Sequence, residues 1–355
     1  MFNVRTIYVK ILFNLTVFLS LLLVFLCTFT ILDGVRIKET HSSDTQRLHN
    51  SWNDTIKNES KIIQPDDDFN VWLIFTKVID KSPLMYNFKH LINNLLKISS
   101  VPLHFHIFVD SNSQIIAESI FNTTENFIFK YTYYNVHSAA NSIMDIVDIM
   151  KPHFSSRPGT YYSDSLFYLS LGLYRIAPKT QKTAVMLDCD VFFKEDILNL
   201  FNEFKNFNES TLYGLAPELT PVYRHVLYSY KLKHNTRLGD SYPNGFQGYN
   251  SGVILINLSA IRKSNEYRQK VLSTEFVSTL TSKYNFKGHL GDQDFYTLLG
   301  FEHPRFFKTL SCGFNRQLCT WWRDHGYKDI FEDYFKCKQK VIVLHGNCNT
   351  RIPRK

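Results

Sequence analysis

No run of five or more consecutive basic residues occurs in this sequence, and no basic stripe recurs at helical spacing. A surface that tracks a phosphate backbone needs one or the other. The net charge of +8 and pI near 9.0 therefore describe a mildly basic surface, and nucleic acid is excluded as a partner. Charge is also scarce: Asp, Glu, Lys and Arg make up 20% of the chain, below the roughly one quarter usual in soluble domains, which hints that part of it lies out of water. There are 6 cysteines, and their spacing lacks the paired C-x-x-C of a zinc ribbon. No internal repeat or low-complexity tract is present. Aromatic residues are plentiful, with 30 Phe and 20 Tyr in a chain that is 44% apolar, so a sizeable core is available.

The longest uncharged stretch, Ile11 to Leu32, is apolar over 22 positions, enough to cross about 30 Å of hydrocarbon as a helix. It is longer than a signal-peptide apolar region and ends in Cys27-Thr28-Phe29-Thr30-Ile31, without a small-residue cleavage pattern. An uncleaved anchor is expected, with residues 1–10 as a cytosolic tail. Arg5 and Lys10 on one flank nearly balance Arg36 and Lys38 on the other, so the basic-residue rule does not decide orientation. Glycosylation triplets at Asn53, Asn58, Asn122, Asn208 and Asn257 all follow the anchor, which favours a cytosolic N-terminus with the rest of the chain in the lumen. Asn257 follows an apolar strand and is expected to stay unmodified. Cys312, Cys319, Cys337 and Cys348 crowd into the last 44 residues. Two disulfides in an oxidising lumen suit them, with three pairings open.

Residues 33–68 are polar and aperiodic, ending in Pro65-Asp66-Asp67-Asp68; a flexible stem is expected. Order is expected over 69–355. Val71 to Thr76 reads as a buried strand. Ser82 and Pro83 read as a helix cap and first helical residue, followed by Leu84, Phe88, Leu91 and Leu95 at helical spacing. Leu103 to Val109 is a second strand, and this strand–helix–strand unit predicts a parallel sheet. Further strands are expected at Phe127 to Tyr134, Thr183 to Leu187, Val253 to Leu258 and Val341 to Leu344. Helices are expected after Ser163 and over Glu195 to Phe204. The alternation predicts one α/β domain.

Three local features can carry chemistry. Asp188-Cys189-Asp190 directly follows a hydrophobic strand, and ligands of open α/β sheets sit beyond the carboxyl ends of strands. Two carboxylates one residue apart can face one hard cation, and such a cation can neutralise a diphosphate leaving group. Gly288-His289-Leu290-Gly291-Asp292-Gln293-Asp294 offers close backbone approach and polar groups suited to sugar hydroxyls. It also has early acids that suit a helix N-terminus. His345-Gly346-Asn347 ends an apolar strand, and a neutral imidazole there could join oxygen ligands around Mn²⁺.

Phe75-Thr76-Lys77, Asp188-Cys189-Asp190, Asn250-Ser251-Gly252, Gly291-Asp292-Gln293-Asp294 and His345-Gly346 occur in this order. The set resembles the retaining glycosyltransferases of family 8, which include glycogenin and the lipopolysaccharide galactosyltransferases. Pro221 to His225, Asn315 to Tyr327 and His345 to Thr350 are most similar to the branch that adds xylose in α-1,3 linkage to an existing xylose. The resemblance covers about residues 70 to 353. It implies a GT-A fold, a single Rossmann-like α/β domain. It implies transfer from UDP-xylose to the xylosyl-glucose carried by epidermal growth factor-like repeats of the Notch type, at the endoplasmic reticulum membrane, with the Golgi as second choice. It implies Mn²⁺, with Mg²⁺ as the alternative, on Asp188, Asp190 and His345. Phe75, Thr76, Lys77 and Cys189 would meet the nucleotide. Asn250, Ser251, His289, Leu290 and Gln293 would surround the donor sugar, and Gly346 and Asn347 the diphosphate. Gln293, Asp292 and Asp190 would be the catalytic set.

Where glycogenin-like members continue His-Gly with Lys-Pro-Trp, this chain has Asn347-Cys348-Asn349-Thr350, leaving the family's phosphate-binding lysine unassigned. Same-face attack is expected, since Gln293 is an amide and a covalent route needs a carboxylate. Trp321, Trp322, Arg323 and Tyr223 are expected at the acceptor. Cys312 with Cys337 and Cys319 with Cys348 is the pairing taken with this resemblance. The competing readings are a glucoside xylosyltransferase or another family member with a different acceptor, and a non-catalytic membrane-anchored lectin or scaffold.

Overall fold

Val71, Trp72 and Leu73 are fully buried, as expected of a strand covered on both faces. In a computed structural model, which describes residues 69–124, 127–155 and 165–353, they form the middle of β1 (Phe69–Ile74). The helix Pro83–Ile98 follows. Its first turn is capped by Ser82, whose Oγ accepts from the Met85 N–H at 3.3 Å. Phe88, Leu91 and Leu95 are buried in one apolar layer with Val71, Leu73 and Phe75. Each such side chain contributes about 1.5–3 kcal/mol by leaving water. Trp72 points to the opposite face, where Phe108, Ile146 and Tyr168 form the second layer.

The remaining strands are β2 (Leu103–Val109), β3 (Phe129–Asn135), β4 (Ala184–Leu187), β5 (Val191–Phe193), β6 (Tyr213–Pro217), β7 (Tyr249–Ile256), β8 (Phe307–Thr309), β9 (Arg316–Gln317) and β10 (Val343–His345). β1 and six of these form one sheet in the order β3-β2-β1-β4-β7-β6-β8, and β5-β10-β9 form a second, small sheet. The large sheet is mixed, which corrects the parallel sheet expected from sequence. The β1–β4 and β1–β2–β3 pairings are parallel, but β7 runs antiparallel to both β4 and β6. Burial on both faces gives the same continuous apolar run whichever way a neighbour points.

Several boundaries also differ. The strand expected at Val253 to Leu258 begins at Tyr249 and ends at Ile256. Asn257 instead caps the helix Leu258–Lys263, its Oδ1 accepting from the Ala260 N–H at 3.0 Å. The helix expected over Glu195 to Phe204 is a short helix, Leu198–Asn202, with a tighter turn after it. Cys312 is bonded to Cys337 and Cys319 to Cys348, across 25 and 29 residues. Closing loops of that length restricts the unfolded chain by about 3–4 kcal/mol each. Replacing both Cys319 and Cys348 by Ser is expected to lower the melting temperature by about 10 °C in a chain of this size, read by thermal denaturation beside the native protein.

The expected tail (1–10), anchor (11–32) and stem (33–68), and Ser163, lie outside the described residues. Among the described residues no helix is long and apolar enough to cross a membrane.

Candidate active site

The reversed strand brings the site together. Because β7 runs against β4, its amino end lies beside the carboxyl end of β4. Leu187 pairs with Val253, and the Asp188 N–H donates to the Gly252 carbonyl at 2.9 Å. Because β6 runs against β7, its carboxyl end, leading to Glu218, reaches the same edge. The chain leaving Asp190 becomes β5, which pairs antiparallel with β10 and sets Val191 opposite His345. Strand β9 flanks β10 on its other side, setting Gln317 opposite His345.

Asp188, Asp190 and His345 converge, each offering one ligand atom within 4.8 Å of the others. His345 Nε2 lies 3.6 Å from Asp188 Oδ2 and 3.4 Å from Asp190 Oδ1. The Asp188 side chain is 58% exposed and the Asp190 side chain 28%, whereas His345 is buried. Two oxygens and one imidazole nitrogen, open on the Asp188 side, fit a divalent cation of the Mn²⁺ type. The backbone is shaped for the ring: a Cβ at Gly252 would stand 2.2 Å from His345 Cε1. Without a cation, burial opposes a charge on His345, but the Asp190 and Asp188 carboxylates outweigh it and push its pKa up to about 10. Cation binding must then displace that proton. Mn²⁺ uptake is expected to release about one proton between pH 7 and 9, with affinity rising about tenfold per pH unit. Calorimetry in buffers of different ionisation enthalpy measures this.

The loop His289–Gly291 and the helix Asp292–Glu302 face the same edge. Asp292, Gln293 and Asp294 are all buried. Asp292 accepts from the Ser170 hydroxyl, and burial, aided by the Asp188 charge, pushes its carboxyl up to about 7. Gln293 Oε1 accepts from the Ser251 N–H at 3.2 Å, and its Nε2 donates to Glu218 Oε2 at 3.3 Å. Asp294 Oδ2 accepts from the N–H groups of His289 (2.7 Å) and Leu290 (2.8 Å). Those two amides therefore shape the loop. Asn250 Nδ2 donates to Glu218 Oε2 at 2.8 Å. Asn347 Oδ1 is taken by the Leu318 and Cys319 N–H groups at 3.1 and 3.0 Å, while the Gly346 N–H donates to the Asp190 carbonyl at 2.8 Å.

Several sequence expectations are corrected by side-chain direction. Phe75 is fully buried, its ring stacked on Phe88 at 4.1 Å, so only its backbone reaches the sheet edge. Cys189 alternates with its two carboxylate neighbours and turns inward, its thiol donating to the Ile74 carbonyl at 3.3 Å. Tyr223 is fully buried, and its hydroxyl donates to Asp294 Oδ1 at 2.9 Å. It has no surface to offer an acceptor and instead braces the Asp294 loop. Thr76 and Lys77 do face a cleft, a cavity of about 520 Å³ also lined by Asp110, Asn112, His137 and Ser165. Asp110 accepts from the Lys77 N–H at 2.5 Å and caps the next helix through the Ser113 N–H at 2.9 Å. Trp321 is 48% exposed and stacks on His325 at 3.9 Å, and Trp322 packs edge-on against Tyr327 at 5.3 Å. Arg323 is exposed and paired with Asp324 at 3.0 Å. The Cys319–Cys348 bond ties this aromatic segment to the loop after His345.

Glu218 and Asn315 were not singled out for a role in the sequence. Glu218 is a lone acid in Pro217-Glu218-Leu219, and its only signal is a charge at the end of an apolar strand. Burial pushes its carboxyl above the usual range, even with donors from Asn250 and Thr220.

Comparison with known proteins is consistent with this geometry. The profile of glycosyl transferase family 8 matches residues 41–347. Xyloside xylosyltransferase 1 of Mus musculus and that of Homo sapiens are each 40% identical over 295 residues, 81% of this chain and 75% of theirs. The crystal structure of the mouse protein in its apo form, also 40% identical, superposes with a TM-score of 0.77 and covers 81% of this chain and 100% of that one.

Proposed function

Because this chain belongs to glycosyl transferase family 8 and is a glycosyltransferase, we propose that it moves xylose from UDP-xylose to a xylose already carried by an acceptor, with retention at the anomeric carbon. One observation carries the reading: the cation ligands Asp188, Asp190 and His345 share a sheet edge with the buried amides Asn250 and Gln293. The xylose specificity is supported by the 40% identity to the mouse and human xyloside xylosyltransferases. The acceptor is the xylosyl-glucose of an epidermal growth factor-like repeat. The protein is a single-pass membrane protein of the endoplasmic reticulum anchored by residues 11–32. Post-anchor glycosylation triplets and a C-terminal region held by two disulfides support a lumenal catalytic domain.

Asp188, Asp190 and His345 would hold Mn²⁺, which when bound supplies positive charge for the departing diphosphate. The chain's own residues do the rest. Thr76 and Lys77 line the cleft for the nucleoside. Asn250, Ser251 and Gln293 present a fixed polar wall to the sugar, with the Gln293 amide held at both ends. Glu218 is a carboxylate bonded to that wall from behind. Its Oε2 accepts from both Asn250 and Gln293, and Thr220 also donates to the carboxylate. A carboxylate so occupied is a poor nucleophile, which favours same-face attack with a donor phosphate oxygen taking the acceptor proton. A glycosyl adduct on Glu218, trapped and seen by mass spectrometry, would overturn that route.

The test is transfer from UDP-xylose to a repeat bearing xylosyl-glucose, by the purified full chain, with Mn²⁺ or with EDTA. A cation-dependent mass gain of one pentose supports the reading. Transfer only to bare O-glucose would make it a glucoside xylosyltransferase. No transfer to either acceptor would overturn the proposed acceptor and point to a different one.

A further inference from the structure

Asn315 is fully buried between the cation ligands and the sugar-side amides. Its Oδ1 lies 2.9 Å from His345 Nδ1, and its Nδ2 lies 2.8 Å from Asn250 Oδ1 and 3.4 Å from the Asn250 carbonyl. Asn250 continues to Glu218, and Glu218 to Gln293.

The direction of every bond in this chain is set by two backbone donors that cannot reverse. The Ser251 N–H donates to Gln293 at 3.2 Å, so that atom is Oε1 and the amide nitrogen faces Glu218. The Gly252 N–H donates to Asn250 at 3.1 Å, so that atom is Oδ1 and the Asn250 nitrogen also faces Glu218. Glu218 between them accepts from both. Asn250 Oδ1 can then only accept from Asn315, which leaves Asn315 Oδ1 as an acceptor toward His345. His345 therefore carries a hydrogen on Nδ1, and Nε2 is the nitrogen turned toward Asp188 and Asp190, the one that would give up its proton to become a cation ligand. Consecutive backbone amides of β7 thus orient both the imidazole and the Gln293 amide.

We propose that Asn315 is a positioning residue that couples the two halves of the site: its oxygen fixes His345 for the cation, and its nitrogen fixes Asn250 and, through Glu218, Gln293. This rests on the reading that Asp188, Asp190 and His345 hold a cation. The two arms of the amide act separately, so they can be removed separately.

Asn315→Leu removes both. Asn315→Asp keeps an oxygen for the His345 N–H but cannot donate to Asn250. Mn²⁺ binding by the full-length protein is measured through the electron paramagnetic resonance signal of free Mn²⁺, beside kcat for transfer. Asn315→Leu is expected to weaken Mn²⁺ binding about 10–100-fold. Asn315→Asp is expected to keep Mn²⁺ affinity within about threefold while kcat falls at least about tenfold. A general packing defect would move both readouts together and would not split the variants. Wild-type Mn²⁺ affinity in a folded Asn315→Leu protein overturns the proposal. If that variant fails to fold, Asn315→Asp decides alone: loss of kcat with retained affinity supports the coupling, and any other pattern overturns it. If the native protein itself binds no Mn²⁺, the cation-site reading falls, and the proposal falls with it.

Discussion

Asp190→Asn is expected to lose transfer activity by about 10³-fold in kcat/KM, a loss of about 4 kcal/mol of transition-state stabilisation. The substitution keeps the size of the side chain and removes its charge. Asp190 Oδ1 stands 3.4 Å from His345 Nε2, so the change strikes a ligand and the partner of a ligand at once. Mn²⁺ affinity should fall with activity. Stability provides an independent check on the same contact. The raised pKa of His345, about 10 against an ordinary 6.5, means the folded protein holds a proton more tightly than the unfolded chain. That stabilisation is complete below pH 6.5 and fades as pH rises through 10. In the cation-free state Asp190→Asn should therefore melt below the native protein at neutral pH, and the two curves should converge above pH 10. Activity retained within tenfold would remove Asp190 from the site.

Gly252→Ala is the second large effect, expected at about 10²-fold in kcat from a displaced ligand. Its added Cβ would stand 2.2 Å from Cε1, 2.6 Å from Nδ1 and 2.8 Å from Nε2 of His345. No side chain can share that space, so the imidazole must swing from the carboxylates or the strands must part. Overpacking of this kind costs about 1–3 kcal/mol, and the added side chain requires no unusual backbone angle at this position. A Gly252→Ala protein that folds, melts a few degrees lower and binds Mn²⁺ weakly would show that strand packing places His345. Native Mn²⁺ binding in that variant would show that it does not.

The parts of this molecule legible in the sequence are those governed by local chemistry. Ser82 and Pro83 mark the start of a helix because a side-chain oxygen and a missing N–H suit a helix's first turn whatever surrounds it. The runs over Val71 to Thr76 and Leu103 to Val109 mark strands within a few residues because both of their faces are covered. The start of β7 was missed because Asn250, Ser251 and Gly252 break its apolar pattern; they serve the sheet edge rather than the core. Phe75, Cys189 and Tyr223 were placed near the ligand by position in a motif, but alternation along an extended chain turns the first two inward, and packing buries the third under Asp294.

By itself the sequence pointed to an α/β domain and to Asp188 and Asp190 as a candidate cation pair at a strand end, and the family resemblance added His345; the structure brings the three together. The tertiary structure alone decided that β7 runs against its neighbours, and with it the meeting of Asn250, Glu218, Gln293 and Asn315. The direction of a buried strand leaves no mark on its own residues. It follows from which partner's backbone groups are left to bond with it, and that is settled only when distant segments pack.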